Sequence, residues 1–233
     1  MRIGRMLALM HREAMKRHAP VFQAESATKE TPFTILVFTM LSARTKDETT
    51  TKVVKRLFSS AKTQAQKTKA RNKAITPKQI LALGQGKLER LLYGVGFYRV
   101  KAKHLIAICR ILEERHGGDV PDTLEGLLEL PGVGRKTANI VLSRAFGKNT
   151  LGVDVHVHRI SNRFGLVRTK KPEDTERSLV KSIPERYIRS LNHTFVAFGQ
   201  TVCLPRNPKC EECPIRKSCP RIGVSTAGEI STR

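Results

Sequence analysis

Apolar residues return at three- and four-residue intervals along almost the whole chain, and no stretch alternates apolar with polar residues for long enough to build a sheet. The predicted fold class is therefore all-α. With 233 residues the chain can bury a real core, as one large domain or two small ones. A first helix is expected over 1–19, with Ile3, Met6, Leu7, Met10 and Met15 on its apolar face and Pro20 ending it. Pro32 takes a first helical position before the stripe Phe33, Leu36, Val37, Met40 and Leu41, and a third helix covers 47–58. Helices follow over 77–83 and 87–93, stopped by Gly84 and Gly94. A long amphipathic helix comes next, with Ile106, Ile108, Cys109 and Leu112 inward, and Cys109 reads as a core thiol. Asp122 is placed to cap a helix opened by Pro121, with Glu125 as its capping-box partner and Leu124, Leu127, Leu128 and Leu130 as the buried face.

Charge decides the class of partner. Lys and Arg outnumber Asp and Glu by 43 to 20, for a formal net charge of +23, and the basic residues are spread along the chain rather than gathered in a tail. A positive field over a folded surface calls for a polyanion, nucleic acid before membrane. The stretch TPFTILVFTML (31–41) is too short to span a bilayer, and the N-terminal MRIGRMLALMHR has no small-residue cleavage site. The expectation is a soluble intracellular protein with no membrane partner.

One segment poses the sharpest question: LPGVGRKTANIVL (130–142). Pro131 halts one helix, Gly132-Val133-Gly134 turns the chain, and a new helix runs from about Arg135 to Phe146, with Gly147 as its stop. Such a turn leaves several backbone N–H groups without intrahelical partners, and together with the helix dipole they form an anion site. The two glycines serve the turn's positive φ and let a phosphate approach the backbone. The plainer reading is a tight helix–helix corner; the basic flank of Arg135 and Lys136 in a +23 chain favours the anion site.

Lys136 is either one more phosphate ligand or a nucleophile, because in the first turn of a helix its ammonium opposes the dipole. Eighteen residues on, in LGVDVHVHRISNRFG, Asp154 precedes another helix, where an aspartate is ordinarily an N-cap. Near a neutral lysine its carboxylate could instead stabilise a developing sugar cation or take a proton from the attacking amine. His156 and His158 are two apart and diverge on a helix, so they read as packing or DNA-contacting residues.

Of the five cysteines, Cys203, Cys210, Cys213 and Cys219 fall within 17 residues, at spacing C-x6-C-x2-C-x5-C with prolines between. Four thiolates on one 4Fe–4S cluster fit this spacing better than a zinc ribbon, which usually shows two separate C-x2-4-C pairs. Zinc and disulfides stay open on spacing alone. Arg206 and Lys209, between the first two cysteines, are candidates for a second phosphate contact.

LPGVGRKTANIVL, VDVHVHRISNRFGLV and the cysteine tail, in that order, resemble the endonuclease III family, iron–sulfur DNA glycosylases of the helix-hairpin-helix superfamily. The resemblance runs from LSARTKDETT (41–50) to Cys219. It implies a two-lobed enzyme, with a six-helix barrel over 32–148, an N-terminal helix plus cluster region from 1–31 and 149–233, and DNA in the cleft between them. It implies base excision repair: an oxidised pyrimidine such as thymine glycol is flipped out, Lys136 attacks the sugar C1′ to form a Schiff base, and β-elimination nicks the strand. Asp154 would assist the attack, and the 4Fe–4S cluster would be mainly structural. The implied partner is double-stranded DNA with damaged bases or abasic sites, bound by a monomer in the cytoplasm at the nucleoid.

Lysine at 136 also discriminates within the superfamily. Relatives that remove adenine from mismatches typically carry serine there, and the thymine-mismatch branch tyrosine. Arg44 stands where well-known bacterial members have glutamine, a side chain that fills the gap left by the flipped base, and Phe97 stands where they have leucine. The resemblance therefore assigns Arg44 to opposite-base preference and Phe97 to the wedge. Two alternatives remain at this stage: a mismatch-directed thymine or uracil glycosylase of the same superfamily, and a non-catalytic helix-hairpin-helix protein with a structural zinc. The stretch 60–73, SAKTQAQKTKARNK, has five basic residues, no acid and no large apolar side chain. It reads as an insertion that buries nothing, a solvated loop or helical extension before a phosphate-contacting arm.

Overall fold

The structure, a computed structural model, describes residues 2–25, 30–67 and 74–224. Among the described residues there are twelve α-helices, one short 3₁₀ turn and no strand. None of these helices is long and apolar enough to cross a membrane. The chain divides into two compact units, Pro20–Gly152 and a smaller one made of Met1–Ala19 with Val153–Arg233.

The larger unit holds α2 (Pro20–Glu25), α3 (Pro32–Ser42), α4 (Asp47–Lys67), α5 (Pro77–Leu81), α6 (Gln85–Leu92), α7 (Tyr98–Arg115), α8 (Leu124–Leu128) and α9 (Arg135–Phe146). α3 is apolar on nearly every side and is its central helix. Phe33, Ile35, Leu36, Val37, Met40 and Leu41 are all buried, and Thr31 and Thr34 close a capping box at its start. It packs against α4, α7 and α9, while α7 also takes α5 and α6 on its flank. Leu105, Ile108, Cys109 and Leu112 are the buried face of α7, and Ile106 is only partly buried. Burial pushes the Cys109 thiol far up and Glu113 adds to it, so Cys109 is the inert core thiol expected.

The smaller unit consists of α1 (Ile3–Lys16), α10 (Val155–Arg163), α11 (Pro172–Ser182), α12 (Glu185–Thr201) and the cysteine-bearing tail. Met6, Leu7, Met10 and Ala14 form the buried face of α1, and Ile188, Leu191, Phe195 and Phe198 that of α12, against which both α1 and α10 pack. At roughly 1.5–3 kcal/mol per fully buried large apolar side chain, this α1–α12 pairing supplies much of the unit's core.

Several local readings need correction. The first helix stops at Lys16, and Pro20 opens α2 instead of only ending a run, since proline's fixed φ suits a first helical position. Thr123, not Asp122, is the N-cap of α8: its hydroxyl accepts from Gly126 N–H at 3.2 Å, while Asp122 pairs with Lys148 at 3.0 Å. Leu128 turns outward at 43% exposed, whereas Leu127 and Leu130 are buried. α4 continues past 58 to Lys67, and Ala61 is fully buried because it extends the Val54 and Leu57 stripe by another turn. The start of the basic stretch is thus packed after all; residues 68–73 lie outside the described residues. The unit boundaries fall at 19/20 and 152/153 rather than 31/32 and 148/149. α2 packs on α4, and bonds from Asn139 and Thr150 hold the segment ending at Gly152 to α9.

Candidate active site

The hairpin is built from α8, a turn and α9. Val133 N–H bonds to Leu130 O at 3.0 Å, and Gly132 takes φ +77°. A Cβ on Gly132 would stand 2.3 Å from Nδ1 of His104, so glycine is required twice over, by dihedral and by the imidazole beneath it. Gly134 has a different reason. It is the N-cap of α9 at φ −94°, ψ 173°, a conformation open to any residue, and a Cβ there would meet nothing within 4 Å. The turn thus faces open space at a helix start where no side chain caps the backbone and no acid sits in the first turn. Gly132, Gly134, Arg135 and Lys136 are all exposed around it. Val133 is not: its side chain is buried and anchors the turn, leaving only its backbone for a ligand. A helix N-terminus with no side-chain cap, flanked by cations, has the chemistry to take an anion.

Lys136 occupies the second position of α9, and what fixes that helix is not evident from spacing. Asn139, buried one turn on, donates to Leu151 O at 3.2 Å, and Thr150 Oγ1 donates back to Asn139 O at 2.8 Å. Gly152 approaches so closely that a Cβ would lie 2.5 Å from Ile140 Cγ1 and 3.0 Å from Lys136 O. The turn of helix that carries Lys136 is therefore clamped along its length.

Arg44 and Phe97, fifty-three residues apart in sequence, come together in the same unit. Both are exposed, both adopt left-handed backbone (φ +55° and +57°), and the Arg44 guanidinium lies 5.5 Å over the centre of the Phe97 ring. Two non-glycine residues held in left-handed geometry, one a bulky aromatic at 62% exposure, mark a strained and presented pair. Gly96 permits the approach, because a Cβ there would sit 2.7 Å from Arg44 O.

In the smaller unit Asp154 is half-buried and caps α10: Oδ1 accepts from His156 N–H and Val157 N–H, both at 2.9 Å. The N-cap reading is thus correct, and it fixes the carboxylate's orientation. The histidines diverge as expected. His156 Nδ1 lies 3.1 Å from Arg159 Nη2, and His158 Nδ1 lies 2.7 Å from Thr175 Oγ1 on α11. Two arginines of α10 that sequence reasoning misses tie this helix to the chain around Cys203. Arg159 donates to the carbonyls of Gly199 and Cys203, and Arg163 to those of Leu204 and Pro205. Their spacing of four, one helical turn, is the available signal.

Cys203, Cys210, Cys213 and Cys219 all line one pocket, beside Met10, Phe198 and Ile215. None is in a disulfide. Burial pushes the Cys213 thiol up to about 11, and the sulfurs of Cys219, Cys203 and Cys210 push it the same way, so the four sense one another. Four thiols around a common space, at this spacing, fit the donor set of a 4Fe–4S group. Lys209 lines this space as well, and Arg206 is exposed on the same loop between Cys203 and Cys210.

Known proteins share both halves of this arrangement. Residues 37–185 match the HhH-GPD superfamily of base excision DNA repair proteins, and residues 203–219 match the iron–sulfur binding domain of endonuclease III. The chain is 46% identical to endonuclease III of Thermotoga maritima over 88% of its own length and 91% of that protein's. It is 36% identical to endonuclease III of Escherichia coli over 81% and 83% of the two chains. The structure resembles that of a trapped endonuclease III–DNA covalent intermediate at a TM-score of 0.77 and 32% identity, covering 94% of each chain.

Proposed function

This chain belongs to the HhH-GPD superfamily of base excision DNA repair proteins and, within it, to the endonuclease III family, and from that premise we propose that it is a bifunctional DNA glycosylase and AP lyase acting on oxidised pyrimidines of the thymine glycol type. The observation that carries this reading is Lys136 in the first turn of an uncapped helix immediately after the glycine turn.

The uncapped amides of α9 and the Arg135 side chain hold a backbone phosphate, and Arg206 and Lys209 add contacts that carry no sequence information. Phe97 wedges into the stack, Arg44 takes the space vacated by the flipped nucleotide, and the flipped base is read outside the duplex. The Lys136 amine attacks C1′, forming a C1′–N bond as the bond to the base breaks. Asp154, held in place by its two bonds to the start of α10, accepts the proton that the amine gives up. Opening of the sugar ring at the C1′–O4′ bond, with a proton delivered to O4′, turns this adduct into a protonated Schiff base; that acidifies C2′, loss of a C2′ proton expels the 3′ phosphate, and hydrolysis returns the free lysine. A 4Fe–4S cluster on Cys203, Cys210, Cys213 and Cys219 serves as a structural fastening that stiffens the loop bearing Arg206 and Lys209. The protein acts as a monomer on double-stranded DNA. Lysine at 136 separates this reading from a monofunctional mismatch glycosylase.

The test is a duplex with one thymine glycol, followed for base release and for the strand break separately. Wild type should give both in step. Base release with an intact strand would place the chain among monofunctional enzymes and remove Lys136 from the chemistry.

A further inference from the structure

Among the described residues Lys101 is the only buried lysine, 8% exposed. It lies in the first turn of α7, the helix whose N-cap is Phe97, and its Nζ reaches back to the end of α3. There it donates to Leu41 O at 2.8 Å and Ala43 O at 2.5 Å, and it lies 3.5 Å from Thr45 Oγ1. These partners are two carbonyls and a hydroxyl, not a carboxylate. A position that needed only a filled core would be served better by methionine, since an ammonium buried against neutral groups costs stability.

The partners explain what that cost secures. The Leu41 and Ala43 carbonyls belong to the end of α3, which cannot satisfy them within the helix. Immediately after them comes left-handed Arg44. Thr45 Oγ1 also accepts from Gly96 N–H at 3.1 Å, the residue before Phe97 and in contact with Arg44 O. One ammonium therefore stands at the root of both turns that present the Arg44–Phe97 pair.

We infer that Lys101 is a positioning residue for recognition of the base opposite the lesion, locking the 43–45 and 96–97 turns in a single geometry so that the Arg44 guanidinium is delivered over the Phe97 ring. The inference rests on the reading of Arg44 and Phe97 as the pair that enters the duplex. A long arginine on an unclamped turn would sample many positions, and discrimination between bases a few ångströms apart requires one.

The experiment measures binding to duplexes carrying a tetrahydrofuran abasic-site analogue opposite each of the four bases. The proteins compared are wild type, Lys101→Met, Arg44→Ala, the double variant and Lys101→Arg, which keeps donors at the site. Lys101→Met should shrink the spread of affinities across opposite bases to that of Arg44→Ala, by about tenfold, and add nothing in the Arg44→Ala background. Lys101→Arg should keep the wild-type order of bases. In nicking assays the loss should fall on KM and not on kcat. In the free protein, the amides of Thr45 and Gly96 should lose protection from hydrogen exchange in Lys101→Met while Leu105 and Ile108 keep theirs, which separates a loosened turn from a misfolded chain. Equal weakening against all four bases with additive effects in the double variant would overturn the inference, as would a wild type with no spread. Discrimination in binding without base release or nicking would instead refute the catalytic reading and leave Lys101's role standing.

Discussion

The two glycines of the hairpin turn make opposite predictions, and the contrast tests whether the turn is a ligand site or a corner. In Gly132→Ala the new side chain must tolerate φ +77°, which costs an L-residue about 1–2 kcal/mol, and its Cβ must displace the His104 ring from 2.3 Å, an overpacking of about 1–3 kcal/mol. The variant should lose about 2–5 kcal/mol in urea unfolding. Adding His104→Ala removes the collision and leaves the dihedral cost, so the pair should couple by about 1–3 kcal/mol. Gly134→Ala meets nothing within 4 Å and keeps an ordinary φ of −94°. Its stability should stay within about 1 kcal/mol of wild type, the poorer N-cap and the stiffer unfolded chain nearly offsetting each other. Its methyl group, however, stands where a phosphate must approach the amides of α9. DNA binding should weaken about tenfold, close to 1.4 kcal/mol. Wild-type affinity in a folded Gly134→Ala would refute the anion site and leave the turn as a helix–helix corner.

Other consequences can be checked alongside. Burial lowers the Lys101 ammonium from 10.5 to about 8, so between those pH values the unfolded chain holds more protons than the folded one and stability rises with pH. The difference in unfolding free energy between wild type and Lys101→Met should therefore grow by about 3 kcal/mol in favour of wild type over that window; a pH-independent difference would contradict the burial of a charged amine. Neutralising the five basic residues of 60–73 should flatten the dependence of log K on log salt by about 0.9 for each phosphate the segment neutralises in the wild type, and an unchanged slope would return the segment to a solvated one. Replacing Cys213 by serine should bleach the brown visible absorbance of purified protein and lower its thermal stability; zinc in place of iron in the wild type would overturn the cluster assignment.

The all-helical class is legible in the sequence because its apolar period is long and seldom interrupted, and the hairpin, Asp154 and the cysteine set because each is a compact motif with chemistry attached. What depends on residues far apart stays hidden. His104, twenty-eight residues before Gly132, explains that glycine, yet nothing in its own neighbourhood marks it. Lys101 looks like an ordinary member of a basic amphipathic helix until its ammonium is followed to carbonyls nearly sixty residues away. Arg159 and Arg163 satisfy carbonyls some forty residues on in the cysteine loop. Ala61 escapes a periodicity argument because a small side chain carries little periodic signal, although close helix packing favours it. The cap of α8 lies one residue beyond its expected place because Asp122 and Thr123 both have the chemistry of a cap, and only the fold decides which side chain folds back.

The most direct test of the account is borohydride reduction of the protein on a duplex with a single thymine glycol, followed by digestion and mass mapping of the cross-linked peptide. The account predicts one covalent adduct, located on Lys136 and absent from Lys136→Ala. An adduct on another lysine, or equal trapping by Lys136→Ala, would contradict it.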